Sequence, residues 1–422
     1  MLKVMHHVCC GVDVHKKFVI ATIVSTTETG IAKYITKRFG TFNDELNQLK
    51  DWLLEANCLE LCMESTGKYW IPVYNVLEDK INITLANPKY IKAIKGKKTD
   101  KKDSIWIADL HRHGLAPGSF IPPHAIRKLR DICRYRTKLV SNKSSEKNRV
   151  QNSLTMCNLA ISHVLSDTFG KTAQRIIEYV LTCDTFDPDY CKTLIDGRVK
   201  ADHDEIIRSI VGYQLSVDQV AKIRFANNHL NFLDEMLLDI DLKIDEFAQP
   251  FRHQIDLLST IPGVTPVSAT RIISEIGVNM EIFHSDKHLC SWAGLVPQNN
   301  ESAGKKKSVK ISRAGVYLKP LLVQCANAAI KSNENPYFKI KFQNIKKRRG
   351  HKKAIIAIAR MILTCAYHMI LNNQPFEPSD FNITSHTNPD KTQSVEQQLQ
   401  SAIALLQANG FAISNPYSIS VQ

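Results

Sequence analysis

The stretch Val8-Cys9-Cys10-Gly11-Val12-Asp13-Val14 decides the fold class of the amino-terminal part of this chain. It is β-branched and apolar apart from one acid, and a similar run follows at Phe18–Val24, which predicts two strands joined by a tight connection. Further along, short apolar runs at 59–63 and 81–85 alternate with segments of helical pattern. Two adjacent strands followed by alternating helices and strands predict a mixed α/β sheet.

The strand pattern largely disappears between residues 125 and 249, where helices are predicted instead. Six apolar residues there follow a heptad spacing: Leu230, Leu233, Leu237, Ile240, Ile244 and Phe247. This seam is shorter than three heptads, so it predicts either a coiled coil that joins two copies or a helix pair within one chain. The predicted domains are 1–118 (α/β), 119–250 (helical), 251–373 (mainly helical) and a polar tail at 374–422.

Composition excludes several classes of protein. The chain has 422 residues, of which 44% are hydrophobic, so it can bury sizeable cores. Its most apolar segment, 354–371, is interrupted by Arg360 and His368, which favours a buried helix over a membrane span. The first residues lack the layout of a signal peptide, and the eleven cysteines show no zinc-binding spacing. We therefore expect a cytoplasmic protein with reduced thiols.

Positive charge is clustered along the sequence. The formal net charge is +14, and nine Lys or Arg residues lie between 127 and 149, eight between 339 and 353, and a further group at 305–310. A solvated face or an anionic membrane surface is the alternative for a single cluster, but three together favour nucleic acid. The predicted nucleic-acid contacts are Arg127, Lys128, Arg130, Arg134, Lys305, Lys306, Lys307, Lys346, Lys347, Arg348 and Arg349.

Four acids form a candidate metal site. Asp13 and Glu64 lie at the ends of apolar strands, where an ionised acid is unfavourable without compensation. Asp100 and Asp103 are three residues apart in a helical segment and so share one face. Carboxylate oxygens are the ligands of Mg²⁺ or Mn²⁺, and two such ions can hold a phosphodiester during in-line displacement. Each acid alone has a structural interpretation as a cap, a turn or an ion pair.

These segments resemble a known family. Gly11-Val12-Asp13-Val14-His15-Lys16, Met63-Glu64-Ser65-Thr66-Gly67, Asn87-Pro88 and Lys98-Thr99-Asp100-Lys101-Lys102-Asp103 are similar to the DEDD transposases of the IS110 type, relatives of the pilin-gene inversase. The resemblance implies a RuvC-like domain of the RNase H fold. It places the four catalytic, metal-binding acids at Asp13, Glu64, Asp100 and Asp103.

The resemblance extends into the carboxyl-terminal half. Ile261-Pro262-Gly263-Val264, the Glu-Ile-Gly at 275–277, the Gly-Leu-Val-Pro at 294–297 and Glu301-Ser302 are similar to the family's carboxyl-terminal transposase domain. By this likeness Ser302 is the nucleophile that attacks DNA. Thr265 replaces a second glycine that many members have after the Pro-Gly turn, a turn that could expose N–H groups to a phosphate.

The sequence therefore predicts an insertion-sequence transposase that cuts and rejoins double-stranded DNA with Mg²⁺ or Mn²⁺ and a serine nucleophile. The resemblance also implies a structured noncoding guide RNA, a homodimer or homotetramer, and a prokaryotic, cytoplasmic protein associated with the nucleoid when active. Two alternatives remain open: a RuvC-like inversase or structure-selective nuclease, of which the nuclease does not need Ser302, and a catalytically inactive nucleic-acid-binding protein.

Overall fold

A computed structural model describes residues 3–65, 67–91, 99–297, 300–302, 305–308 and 310–378, without the side chains of 89, 90, 300–302 and 305–308. The chain divides into two compact units, 1–122 and 123–422. Residues 379–422, which make up most of the predicted tail, lie outside the described residues. The predicted division of the second unit at residue 250 stays a prediction.

In its described residues, unit 1 contains a mixed five-stranded sheet and four helices. Its elements are β1 (Val8–Val14), β2 (Phe18–Thr26), β3 (Ala32–Gly40), α1 (Asn43–Glu55), β4 (Glu60–Glu64), α2 (Trp70–Leu77), β5 (Asn82–Ala86), α3 (Pro88–Ile91) and α4 (Asp100–Arg112). The strand order is β3-β2-β1-β4-β5, with β1 to β3 antiparallel and β1, β4 and β5 parallel. This confirms the mixed α/β sheet and is consistent with an RNase H-like domain.

One strand was not predicted from the sequence. β3 lies at the edge of the sheet, and most of its residues are exposed or half-buried. It therefore lacks the apolar run by which the other four strands can be recognised. The two predicted initial strands, β1 and β2, are thus joined by β3 to form the antiparallel part of the five-stranded sheet.

The two faces of the sheet are covered differently. Cys10, Val12 and Val14 on β1 point into the core formed with α1 and α2. The alternate residues point to the other face, where Cys9 lies against Ala108 of α4. At Gly11 the strand comes so close to α4 that an added Cβ would lie 2.2 Å from the backbone nitrogen of Ala108. The absence of a side chain at this glycine therefore sets the distance between β1 and α4.

Replacing Gly11 by Ala is expected to lower the free energy of unfolding by about 1–3 kcal/mol, the usual range for forcing an extra methyl group into a packed interior. The clash is with backbone atoms, so no side chain can rotate away to relieve it. Urea denaturation measures the change. Gly118→Ala is the matched control, since a Cβ there would meet only Thr84 Cγ2 at an ordinary 3.6 Å. Equal midpoints for both variants would contradict the expectation.

Unit 2 is mainly helical in its described part, with one short hairpin. Its elements are α5 (His124–Met156), α6 (Ile161–Val164), α7 (Lys171–Thr182), α8 (Pro188–Thr193), α9 (His203–Arg208), α10 (Val217–Ala248), α11 (Arg252–Ser259), α12 (Pro266–Ile276), α13 (Asp286–Trp292), β6 (Asn300–Ser302), β7 (Lys305–Ser308), α14 (Leu318–Ala329), α15 (Tyr337–Arg349) and α16 (His351–Asn372). Short 3₁₀ helices precede α11 and α13.

The heptad seam lies on α10 and is covered within the same chain. α10 packs along α5, and four of the six seam residues are buried: Leu230, Leu233, Ile240 and Ile244. Arg136 and Lys143 on α5 form ion pairs with Asp241 and Asp234 on α10. The structure thus has the helix pair within one chain, and self-association through α10 stays a prediction.

One helix in the described part of the chain, α16, is long and apolar enough to cross a membrane by length and composition alone. Half of its most apolar window is buried inside the protein, where α16 packs against α14 and α15. Its buried residues include Ile358, Ile362 and Leu363. This agrees with the prediction of a buried core helix. No disulfide bond forms among the cysteines that the structure describes.

Candidate active site

The site begins at the carboxyl ends of two neighbouring parallel strands. Val12 of β1 pairs in register with Met63 of β4, and Asp13 and Glu64 each follow by one residue. Side chains alternate between the faces of a strand, so both acids share the face that α4 covers. Both side chains are half-buried. Strand pairing therefore brings together two acids that are 51 residues apart in the sequence.

The other two acids lie in the first turn of α4. Thr99 caps this helix, and its side-chain oxygen accepts a hydrogen bond from the Lys102 N–H. Asp100 and Asp103 follow, at the helix end whose exposed N–H groups favour negative charge. Ser104 donates to or accepts from Thr22 of β2 across 2.7 Å in a buried contact. This contact and the close approach at Gly11 fix the start of α4 against the sheet.

A histidine joins the two halves of the site. His15 Nε2 lies 3.0 Å from Asp13 Oδ2 and 3.6 Å from Asp100 Oδ1. One possible ligand atom from each of these three residues lies within 4.8 Å of the other two. The His15 ring is held by stacking on Phe18, with 4.6 Å between the ring centroids.

Negative charge accumulates at this edge of the sheet. Burial raises the pKa of Asp13, and the neighbouring carboxylates of Asp100 and Asp103 raise it further, while His15 acts in the opposite direction. A carboxyl group with a raised pKa has an ionised form that is poorly compensated by the protein. Hard oxygen donors in such surroundings fit a divalent cation of the Mg²⁺ type.

The structure thus brings three of the four predicted acids close together. Asp13 and Asp100 share His15, Asp103 is near enough for its charge to act on Asp13, and Glu64 ends the strand beside that of Asp13. His15 is a site residue that is not predicted from the sequence. Its position two residues after Asp13, at the turn into β2, was the available signal.

Ser302 belongs to unit 2, and its backbone forms the end of β6 opposite Lys305 of β7. The side chains of Ser302, Lys305, Lys306 and Lys307 are not among those described. The base of this hairpin is closed by the pairing of Pro297 with Ile311.

Close backbone packing fixes the segment that leads into the hairpin. Gly294 has a positive φ of 69°, and a Cβ there would lie 2.6 Å from the Ala314 carbonyl oxygen. Gly315 is in similarly close contact with the Ala293 carbonyl oxygen. The Gly-Leu-Val-Pro segment at 294–297 is therefore held in place by its own backbone.

The Pro-Gly turn at 262–263 has a packing role. Gly263 has a φ of 82°, and a Cβ there would lie 2.4 Å from the backbone nitrogen of Ala329 on α14. Thr265 caps α12, since its hydroxyl accepts a hydrogen bond from the Ser268 N–H. The threonine that departs from the family pattern is thus a helix cap, and the phosphate contact at this turn stays a prediction.

Two of the predicted nucleic-acid contacts are engaged inside unit 2. Arg134 forms a bidentate ion pair with Glu275, in which Nε lies 2.7 Å from Oε1 and Nη2 lies 2.8 Å from Oε2. Its guanidinium group also lies over the ring of Tyr317. Arg130 donates to the carbonyl oxygens of Ser274 and Glu275 at the carboxyl end of α12. These two arginines fasten α12 to α5. Glu275 belongs to the Glu-Ile-Gly motif, but its role as their partner is not predicted from the sequence.

Of the other predicted contacts whose side chains the structure describes, all but Arg127 are exposed. Lys128 is exposed, Arg127 is half-buried, and Lys346, Lys347, Arg348 and Arg349 form an exposed run in the last turn of α15. Cations at this end of a helix are favoured by its dipole, so the run is compatible with a stable helix. We call Lys346 to Arg349 the basic run.

Two comparisons place these features among known proteins. A family profile of DEDD transposases of the IS110 type matches residues 10–158, and one described as "Transposase IS116/IS110/IS902 family" matches 255–343. Together they cover more than half of the chain.

Individual relatives match over shorter stretches. The pilin gene-inverting protein of Moraxella bovis is 32% identical over 135 residues, which are 30% of this chain and 39% of the relative. The transposase for insertion sequence element IS1111A of Coxiella burnetii is 28% identical over 139 residues, which are 31% of this chain and 38% of the relative. The matched region thus spans about two fifths of these curated relatives.

Proposed function

Because this chain belongs to the IS110-type family of DEDD transposases, we propose that it is a DNA recombinase that cuts and rejoins the strands of an insertion element. The observation that carries the proposal is the grouping of Asp13, His15 and Asp100 at the edge of the unit 1 sheet, with Asp103 and Glu64 beside them. The two relatives named above, a gene-inverting protein and a transposase, support the same class of reaction.

Asp13, Glu64, Asp100 and Asp103 would hold Mg²⁺ or Mn²⁺ in a RuvC-like site. When bound, such a cation supplies a Lewis acid that stabilises charge on the scissile phosphate. The protein contributes the alignment of the carboxylates. Gly11 sets the distance between β1 and α4, the Thr99 cap positions the first turn of α4, and His15 orients Asp13 through its 3.0 Å contact.

Ser302 would be the nucleophile. In this step the Ser302 Oγ–phosphorus bond forms, the bond from phosphorus to the leaving deoxyribose oxygen breaks, and the serine proton passes to a base or to solvent. Glu301-Ser302 lies within the region 255–343 that matches the transposase family, which supports the proposal. Lysines 305–307 follow in β7 and add positive charge to the segment.

The substrate would be double-stranded DNA, with a structured noncoding RNA from the element as the guide. Lys128 and the basic run are the accessible candidates for backbone contacts, because they remain exposed where Arg130 and Arg134 are engaged elsewhere. The protein would act in the cytoplasm as a homodimer or homotetramer.

The proposal is tested with the full chain, purified together with any RNA that accompanies it, on a plasmid that carries the element with its flanking DNA. Recombinant junctions, detected by amplification across the new joints, are expected with Mg²⁺ and not when EDTA replaces it. Cleavage without joining would favour the structure-selective nuclease. DNA binding without cleavage in Mg²⁺ or Mn²⁺ would favour the inactive binding protein.

A further inference from the structure

A second group of metal-ligating side chains lies in unit 1, away from Asp13 and Asp100. Glu60 begins β4 four residues before Glu64, and His111 lies near the end of α4, eleven residues after Asp100. These separations correspond to about 13 Å along the strand and about 16 Å along the helix. The two groups therefore lie at opposite ends of the same face of the sheet.

The three side chains of this second group converge. Glu60 Oε2 lies 3.9 Å from His6 Nδ1 and 3.8 Å from His111 Nε2. The rings of His6 and His111 are stacked, with 4.5 Å between their centroids. One ligand atom from each residue lies within 4.8 Å of the other two, which is the second such group in the described part of the chain.

The buried histidine carries an unsatisfied polar atom. The His111 side chain is only 4% exposed, and its Nε2 has no hydrogen-bond partner among the described residues. The nearest carboxylate oxygen, at 3.8 Å, is beyond hydrogen-bond range. A buried polar nitrogen without a partner is destabilising, and in native proteins it calls for a specific explanation.

We propose that His6, Glu60 and His111 form a transition-metal site with water as the fourth ligand, for which Zn²⁺ is the best-suited ion. Two imidazole nitrogens and one carboxylate oxygen are ligands that Zn²⁺ accepts, whereas Mg²⁺ prefers oxygen alone. Ligand atoms around a tetrahedral zinc ion lie about 3.3 Å apart, so bringing each histidine nitrogen to that distance from Glu60 requires a shift of about half an ångström.

The surroundings of Glu60 support this assignment. Asn82 Nδ2 donates to both Glu60 oxygens at 3.0 Å, an outer contact of the kind that orients a metal-binding carboxylate.

The site would fasten the segment before β1 to the sheet and to α4. The backbone N–H groups of Met5 and His6 already donate to the Arg112 carbonyl oxygen at the end of α4. A metal ion held by His6, Glu60 and His111 would add a cross-link between three separate segments. It would thereby stabilise unit 1 without entering the chemistry at Asp13.

Zinc binding to the full-length protein tests the proposal. The protein is stripped with a chelator, dialysed into excess Mg²⁺ to fill the hard-oxygen site, and titrated with zinc chloride by isothermal calorimetry. His6→Ala and Glu60→Gln are expected to weaken the tight zinc site at least about a hundredfold. His7→Ala, a neighbouring exposed histidine, is the matched control and should bind zinc as the unmodified chain does.

Thermal unfolding provides a second measurement. Zinc should raise the Tm of the unmodified protein and of His7→Ala but not of the other two variants, because only binding to the native state is stabilising. His6 is 30% exposed, so its removal is compatible with folding. Absence of tight zinc binding in the unmodified chain, or full zinc affinity in His6→Ala and Glu60→Gln, would overturn the proposal.

Discussion

Asp13→Asn is expected to abolish DNA strand cleavage while leaving DNA binding intact. Asparagine keeps the size of the side chain but removes the charge that a divalent cation requires. A loss of about 4 kcal/mol of transition-state stabilisation corresponds to about a thousandfold in rate. The effect should be this large because Asp13 is at the centre of the site, next to His15 and within electrostatic reach of Asp100 and Asp103.

The Asp13 variant should still fold. Burial and the neighbouring acids raise the pKa of Asp13, so removing its charge relieves an unfavourable interaction rather than creating one. Urea denaturation should show no loss of stability, and gel-shift assays should show unchanged DNA affinity. Asp51→Asn, on the exposed face of α1, is the matched control and should cleave normally. Cleavage retained in Asp13→Asn would contradict the assignment of the acids.

Ser302→Ala is expected to abolish strand joining by a similar factor, because no covalent link between protein and DNA can then form. With the unmodified protein and Mg²⁺, a fraction of the chain should migrate in a denaturing gel as an adduct with labelled DNA. This adduct should be absent in Ser302→Ala.

Two controls separate this outcome from a general loss of function. Ser308→Ala changes a second serine of the same hairpin, paired with Asn300 across the strands, and should still form the adduct. DNA binding by Ser302→Ala should equal that of the unmodified chain. An adduct that persists in Ser302→Ala would exclude this serine as the nucleophile. Cleavage by both the unmodified chain and Ser302→Ala, with no adduct from either, would favour the structure-selective nuclease.

In unit 1, the strands that can be predicted from the sequence are those whose residues are buried. β1, β2, β4 and β5 are recognisable because their apolar runs face a core, and the acids stand out because they interrupt or end those runs. β3 escapes recognition because it is an exposed edge strand. An apolar run in the sequence indicates a strand whose residues are buried, so an exposed strand has no such run.

Partners distant in the sequence are the other source of error. Arg134 and Arg136 belong to one basic cluster in the sequence. Their acidic partners, Glu275 and Asp241, lie more than 100 residues away along the chain. The group of His6, Glu60 and His111 was missed for the same reason, since none of the three is conspicuous alone. Only the folded chain shows which charges are already compensated.

The contact at Gly11 has a consequence for how this protein can evolve. The gap between the strand of Asp13 and the helix of Asp100 is set by main-chain atoms, so it is insensitive to exchange of most side chains in the surrounding core. Homologous chains can diverge widely there and still present the carboxylates at one spacing. Substitution of Gly11 itself is selected against, because any larger residue would disturb both the spacing of the carboxylates and the folding of unit 1.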